Sequence, residues 1–247
     1  MAASFPVSVK SFGSDRVNGD YIPASDTNDL RAEVVALETA ALAGWFAQSE
    51  TWTYASASTF TVATDRTATY TKGRRLRWKQ GAGYKYGIVS SSAYTSVTTV
   101  TILVNTDYTI ANSAITDNGV SDLDIPPGWP DWFVWAPSYS ASGSMTYTGV
   151  TSQLAKYRVL GKCVQWMLRA SGTLGGTASN TVLVTPPVTP AAITGQYLAF
   201  TGGNSESAVG VGLLDSTTPR LQFQRSDAAN FSLAAGKVVH GQGFYEW

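Results

Sequence analysis

Arg75-Leu76-Arg77-Trp78-Lys79-Gln80-Gly81-Ala82-Gly83-Tyr84-Lys85-Tyr86-Gly87-Ile88-Val89 is the stretch whose reading decides the fold class. Its opening residues alternate cation and apolar side chain, the period of a strand with one buried face. Gly81 and Gly83 supply a turn, and Tyr84 to Val89 returns as a second strand, so the stretch reads as a hairpin with a Gly-containing loop. In this reading Leu76 and Trp78 face a core, while Lys72, Arg74, Arg75, Arg77 and Lys79 lie on the solvent or subunit-facing side. Upstream, Thr59-Phe60-Thr61-Val62 alternates in the same way. Downstream, Thr98 to Val104 adds a strand closed by Asn105-Thr106-Asp107. A small β domain is expected over 51–124, its strands ending near residue 115.

Beyond it, Ile125-Pro126-Pro127-Gly128-Trp129-Pro130-Asp131-Trp132-Phe133 cannot propagate a helix or a central strand, because proline lacks the N–H that either ladder needs. Its aromatics require cover, so 125–135 reads as a packed connector. A second β domain is expected over 136–247. In Cys163 to Leu168 the residues Val164, Trp166 and Leu168 fall on one face. In Pro219 to Arg225, Leu221 and Phe223 point one way and Arg220, Gln222 and Gln224 the other. Further strands are expected at Ser144–Thr148, Gln153–Leu160, Thr181–Val184, Gln196–Phe200, Ala208–Leu214, Phe231–Leu233 and Lys237–Tyr245. Short strands at this spacing suggest a β-sandwich, jelly-roll-like.

Before the hairpin, residues 1–24 show no sustained period and read as a leader. Ser25-Asp26-Thr27-Asn28-Asp29 then offers several N-caps, with acids where the helix dipole favours them. No Gly or Pro follows until Gly44, a plausible helix stop. Leu30, Val34, Leu37 and Ala41 are spaced four, three, four, which makes an apolar seam of coiled-coil type. It is about two and a half heptads long, short of a self-sufficient coiled coil. Glu33 and Glu38 flank it. Two arrangements satisfy this pattern: a helix packed on its own β domain, or helices gathered around a symmetry axis.

The 17 acids and 17 bases cancel, and only 14% of residues are charged. That disfavours partners held by long-range attraction, such as bulk nucleic acid or an anionic membrane. It suits a subunit that self-associates. The single Cys163 forms no internal disulfide, which points to folding in a reducing cytosol. Met1 to Pro6 has no apolar core of signal-peptide length, and no segment approaches a membrane span.

Chemistry-bearing patterns are sparse. The lone His240 has no nucleophile-elbow partner, so a Ser-His-Asp triad is not expected. It also lacks the nearby ligand a His-based metal site needs. Asp122, Asp124, Asp131, Asp215, Asp227 and Glu206 could nominally serve glycoside hydrolysis, yet no spacing pairs them, and loop acids beside Gly, Ser and Asn usually form turns. Gly202-Gly203-Asn204 and Gly210-Val211-Gly212 lack the lysine and helix of a phosphate cradle. Trp129, Trp132 and Trp135 are candidates for stacking on sugar rings, with domain packing as the competing account. Neither cofactor nor catalytic residue is expected.

Ser4-Phe5-Pro6-Val7-Ser8-Val9-Lys10-Ser11-Phe12, with Asp26 to Glu38, resembles the N-terminal region of many tail-fibre and minor structural proteins of tailed bacteriophages. So do Lys72 to Gln80, Lys85-Tyr86-Gly87, Thr98 to Thr101 and the segment Pro126-Pro127-Gly128-Trp129-Pro130. The resemblance covers roughly the first half of the chain and consists of short matches without a chemical motif. It implies a homotrimer attached to the particle through residues 1–50, with a C-terminal β domain turned toward the host surface. Host-surface glycan and other virion proteins are the implied partners, and the virion is the implied location, after synthesis in host cytoplasm. The alternatives are a head-decoration, spike or tail-tip protein without receptor role, and a carbohydrate-binding module.

Overall fold

A computed structural model describes residues 24–191, 201–204, 207–215, 219–225 and 227–247. The protein is mostly β, and among the described residues it has one α-helix, α1 (Ala24–Ala43), near the N-terminus. The chain divides into two compact units that separate between Pro130 and Asp131, with Asn105–Asp107 counted in the second. The expected connector is therefore split between them. The leader and the expected strand Gln196–Phe200 lie outside the described residues.

Helix α1 starts earlier than the capping cluster suggests, so Ser25 to Asp29 occupy its first turns. It stops at Gly44, whose φ of +64° is the left-handed conformation that glycine adopts without cost.

The first unit holds a seven-stranded antiparallel sheet built from β1 (Phe46–Ala47), β2 (Thr53–Ser56), β3 (Thr59–Val62), β4 (Arg75–Gln80), β5 (Gly83–Tyr94), β6 (Thr98–Val104) and β7 (Thr116–Ser121). Their spatial order is β1-β7-β4-β5-β6-β3-β2. The two edge strands, β1 and β2, are consecutive in sequence and joined by residues 48–52 alone. So short a link reaches at most ~21 Å, whereas seven flat strands would hold their edges ~29 Å apart. The sheet must curl, and its inside is filled by Trp52, Phe60, Tyr70, Leu76, Trp78, Val100 and their neighbours.

The decisive hairpin forms as expected: β4 pairs β5 with Arg75 opposite Ile88 and Gln80 opposite Gly83. Strand β7 escapes the sequence pattern, because Thr116-Asp117-Asn118-Gly119 looks like a turn. Asp117 takes a φ of +50°, and the ladder to β4 shifts register between Arg77 and Lys79. A bulge thus lets turn-like residues serve as a central strand.

Among its described residues the second unit holds nine strands in one sheet: β8 (Phe133–Val134), β9 (Tyr139–Ala141), β10 (Met145–Leu160), β11 (Cys163–Gly176), β12 (Thr181–Val184), β13 (Thr201–Asn204), β14 (Ser207–Asp215), β15 (Arg220–Arg225) and β16 (Lys237–Glu246). The order is β8-β10-β11-β16-β13-β14-β15-β12-β9. Here too the far edge returns. The Tyr139 hydroxyl on β9 lies 2.6 Å from that of Ser152 on β10, and the Met145 amide bonds the Ser142 carbonyl. The two strands expected at 144–148 and 153–160 are one strand, β10, bent by register shifts at Thr148/Thr151 and Ser152/Leu154. Phe231–Leu233 is not a strand. Phe231 is buried and its amide bonds the Ser179 carbonyl, so it plugs the core from a loop. The faces expected of Cys163–Leu168 and Pro219–Arg225 are those seen: Val164, Trp166, Leu168, Leu221 and Phe223 are all buried, with Trp166 edge-on to Phe223.

Candidate functional site

The seam residues of α1 are all exposed: Leu30 at 53%, Val34 at 45%, Leu37 at 50%, and Ala41 beside them. Val35 at 60% and Leu42 at 82% are exposed too, on a separate stripe about 100° round the helix from the seam, beyond Arg31 and Glu38. A third side, about 120° round the helix from the seam, is the covered one. Asp29 is buried, and Ala32, Glu33, Ala36 and Ala43 are half-buried. At about 100° per residue these five fall within one third of the helix circumference. A helix packed on its own domain turns its large aliphatic side chains inward. α1 does the reverse, presenting alanines and Asp29 to cover and its leucines and valines to solvent.

Two cations of the decisive strand, Arg75 and Arg77, are covered, contrary to the alternation reading. Lys72 is exposed and the Lys79 side chain stays 43% exposed, as that reading expects. Arg75 is 1% exposed; its guanidinium bonds the Gly73 and Asp124 carbonyls and pairs with the Asp124 carboxylate at 2.9 Å. Burial pulls its pKa down, and Asp124 opposes that shift. Arg77 lies between the rings of Trp45 (5.0 Å) and Tyr84 (4.9 Å), and no hydrogen bond reaches its buried Nε. The cover comes from both ends of the unit. Trp45 donates its indole N–H to the Pro127 carbonyl at 2.9 Å, and Trp129 packs against Trp45 and Tyr86 with Arg75 over its ring. Period two identified one buried face of β4; the proline-rich segment and Trp45 cover the other at Arg75 and Arg77.

The three tryptophans offered for glycan stacking are not one platform. Trp129 belongs to the aromatic cover of the first unit. In the second, Trp135 is buried edge-on against Tyr157, so its faces are closed to a sugar. Trp132 stays half-exposed, with the Arg158 guanidinium 4.8 Å above its ring.

The first unit also has a cleft of about 350 Å³ lined by Phe46, Gln48, Glu50, Arg66, Thr69, Arg74 and Asp122. Its charges are neutralised locally: Arg66 pairs with Glu50 at 3.3 Å and Arg74 with Asp122 at 2.9 Å. Behind Glu50 a chain of bonds runs from the Trp52 indole N–H to the Tyr70 hydroxyl and on to Glu50, each 2.8 Å long. This cleft anchors its own walls.

Of the acids considered for hydrolysis, Asp122, Asp124 and Asp227 are each held by an arginine. Glu206 lies outside the described residues. His240 is exposed on β16, opposite Arg169. Among the described residues no three of His, Cys, Asp and Glu converge, and no helix is long and apolar enough to cross a membrane. Sequence reasoning missed the outward face of β10, β11 and β16, where Arg158, Gln165 and Phe244 stand in one row. Its signal was the polar half of the alternation in each strand, legible only once register is known.

Comparison with protein-family models, with curated proteins and with solved structures gives no match.

Proposed function

We propose that this protein is a virion structural subunit of the tail-fibre or receptor-binding type from a tailed bacteriophage, assembling as a closed homotrimer. The observation that carries the proposal is α1, whose aliphatic seam faces outward while its small residues are covered. Three copies bring Leu30, Val34, Leu37 and Ala41 around one axis and remove that surface from water. At about 25 cal/mol per Å² such burial favours assembly. The chain's zero net charge opposes it little.

In this reading the N-terminal region attaches to the particle. The curled C-terminal sheet serves as a jelly-roll-like display domain for a host-surface glycan. The protein acts by binding and not by catalysis, in the virion, after synthesis in host cytoplasm. The resemblance of residues 4–12, 26–38, 72–80, 85–87, 98–101 and 126–130 to phage fibre proteins supports it from the sequence side.

The test is the mass of the purified chain by light scattering at micromolar concentration. Three chains per particle is the expected result. A stable monomer removes the axial role of α1 and the symmetry argument with it.

A further inference from the structure

Alternation along β10, β11 and β16 sends Tyr157, Trp166 and Tyr245 into the core of the second unit, and their sequence neighbours outward. Register then builds a row on the outer face: Arg158 opposite Gln165, and Gln165 opposite Phe244. Trp132 stacks on Arg158 at one end of the row. Phe244, 63% exposed, closes the other. Lys156 and Arg169 sit on the same face, so with Arg158 the cations step along the strands at intervals of about 7 Å.

None of the three is neutralised by a described residue, and the two arginines are oriented by neutral partners. Arg158 donates its Nε–H to the Gln165 amide oxygen at 2.7 Å, and Arg169 donates its own to Gln153 at 2.6 Å. A neutral amide orients a guanidinium without cancelling its charge, and leaves the terminal N–H groups for a planar anion. Among the described residues no carboxylate lies within 4 Å of Lys156, Arg158 or Arg169. Elsewhere in the protein arginines such as Arg75 and Arg225 do have carboxylate partners.

We propose that this outward face binds an acidic polysaccharide, a chain of sugar rings carrying carboxylates. The inference rests on the receptor-binding reading above and names its ligand class. Trp132 and Phe244 offer flat apolar surface to ring faces, Gln165 offers an amide to hydroxyls, and Lys156, Arg158 and Arg169 take the carboxylates. A neutral glycan would leave three cations unanswered. A second copy laid face to face would set like charges against each other.

The experiment is calorimetric titration of the full chain with hexagalacturonate, beside neutral maltohexaose and an oligothymidylate. Hexagalacturonate is expected to bind at least about tenfold tighter than either, and to weaken with added salt. Phe244→Ala and Arg158→Gln are each expected to weaken it about tenfold, the size of one lost charge-assisted or stacking contact. Phe244 is exposed, so its variant keeps the fold and the test stands even if the arginine variant does not. Equal binding of maltohexaose, undiminished binding by both variants, tighter binding of the oligothymidylate, or a fall in solution mass for Phe244→Ala each overturns the proposal.

Labelled protein on a panel of bacterial cells separates this idea from its parent. Adsorption by the Phe244→Ala, Arg158→Gln double variant equal to that of the unaltered chain sinks the face and spares the receptor role. Hexagalacturonate binding without adsorption to any cell supports the face and sinks the receptor role.

Discussion

Tyr70 stands between two polar partners inside the first unit's core, accepting from Trp52 and donating to Glu50. Burial, and then the bond to Glu50, push its hydroxyl well above the usual tyrosine range, so it remains a donor at every accessible pH. Tyr70→Phe keeps the ring but leaves the buried Trp52 N–H without its acceptor. It also takes from Glu50 one of its two side-chain partners among the described residues, Arg66 being the other. The expected loss is about 1–3 kcal/mol of stability in urea titration, with an unchanged slope. Asp227 is held differently, by two bonds from Arg225 and by the Ala229 amide. Those contacts, led by Arg225, lower its pKa to about 2. Because the folded value is depressed, its stabilisation is present above the ordinary aspartate range and is lost as pH falls toward 2. Carboxyl NMR should place its midpoint near that value, and Arg225→Gln should move it up into the usual range. A midpoint that ignores the substitution would show that Arg225 is not the cause.

At the scale of elements, Tyr147 shows how one residue ties three strands. From β10 its ring crosses Gly172 on β11, and its hydroxyl donates to the Lys237 carbonyl on β16 at 2.8 Å. A Cβ at Gly172 would lie 2.8 Å from that ring and 3.0 Å from the Thr148 carbonyl. Gly172→Val should therefore destabilise by about 1–3 kcal/mol through overpacking. The Lys237 region should also lose amide protection, because Tyr147 is displaced. Retained protection there would mean the ring has another route across. The β4–β5 hairpin makes a related point about legibility. Its alternation was plain, and Leu76 and Trp78 do face the core. The fate of Arg75 and Arg77 was not, since their cover comes from Trp45 and Trp129, far away in sequence. Local pattern reports that a face is polar; it does not report what lies on it.

For the whole molecule, the central prediction concerns assembly. Leu37→Asp places a charge in the α1 seam and should lower the solution mass from three chains toward one. The thermal transition of the C-terminal unit should persist, since Leu37 belongs to the first unit and is half-exposed. An unchanged mass would remove α1 from the interface. Of the candidate sites, the helix seam could be read directly from spacing, because four, three, four is a property of consecutive residues. The outward face of β10, β11 and β16 could not, because Arg158, Gln165 and Phe244 are brought into one row by two strand pairings.

The sequence by itself determined the all-β character, the existence and end of α1, the β4–β5 hairpin and the buried faces of β11 and β15. Each is set by side chains within a few residues of one another: a period of two, a left-handed glycine, a Gly-rich turn. Tertiary structure alone decided that both sheets curl until their edges meet, that β7 is a strand despite its turn-like residues, and that Arg75 is buried. It also placed Trp129 and Trp135 in different units. Those outcomes depend on strand register and on cover from distant segments, and in a curled sheet the partners of a residue are chosen by closure of the whole ladder.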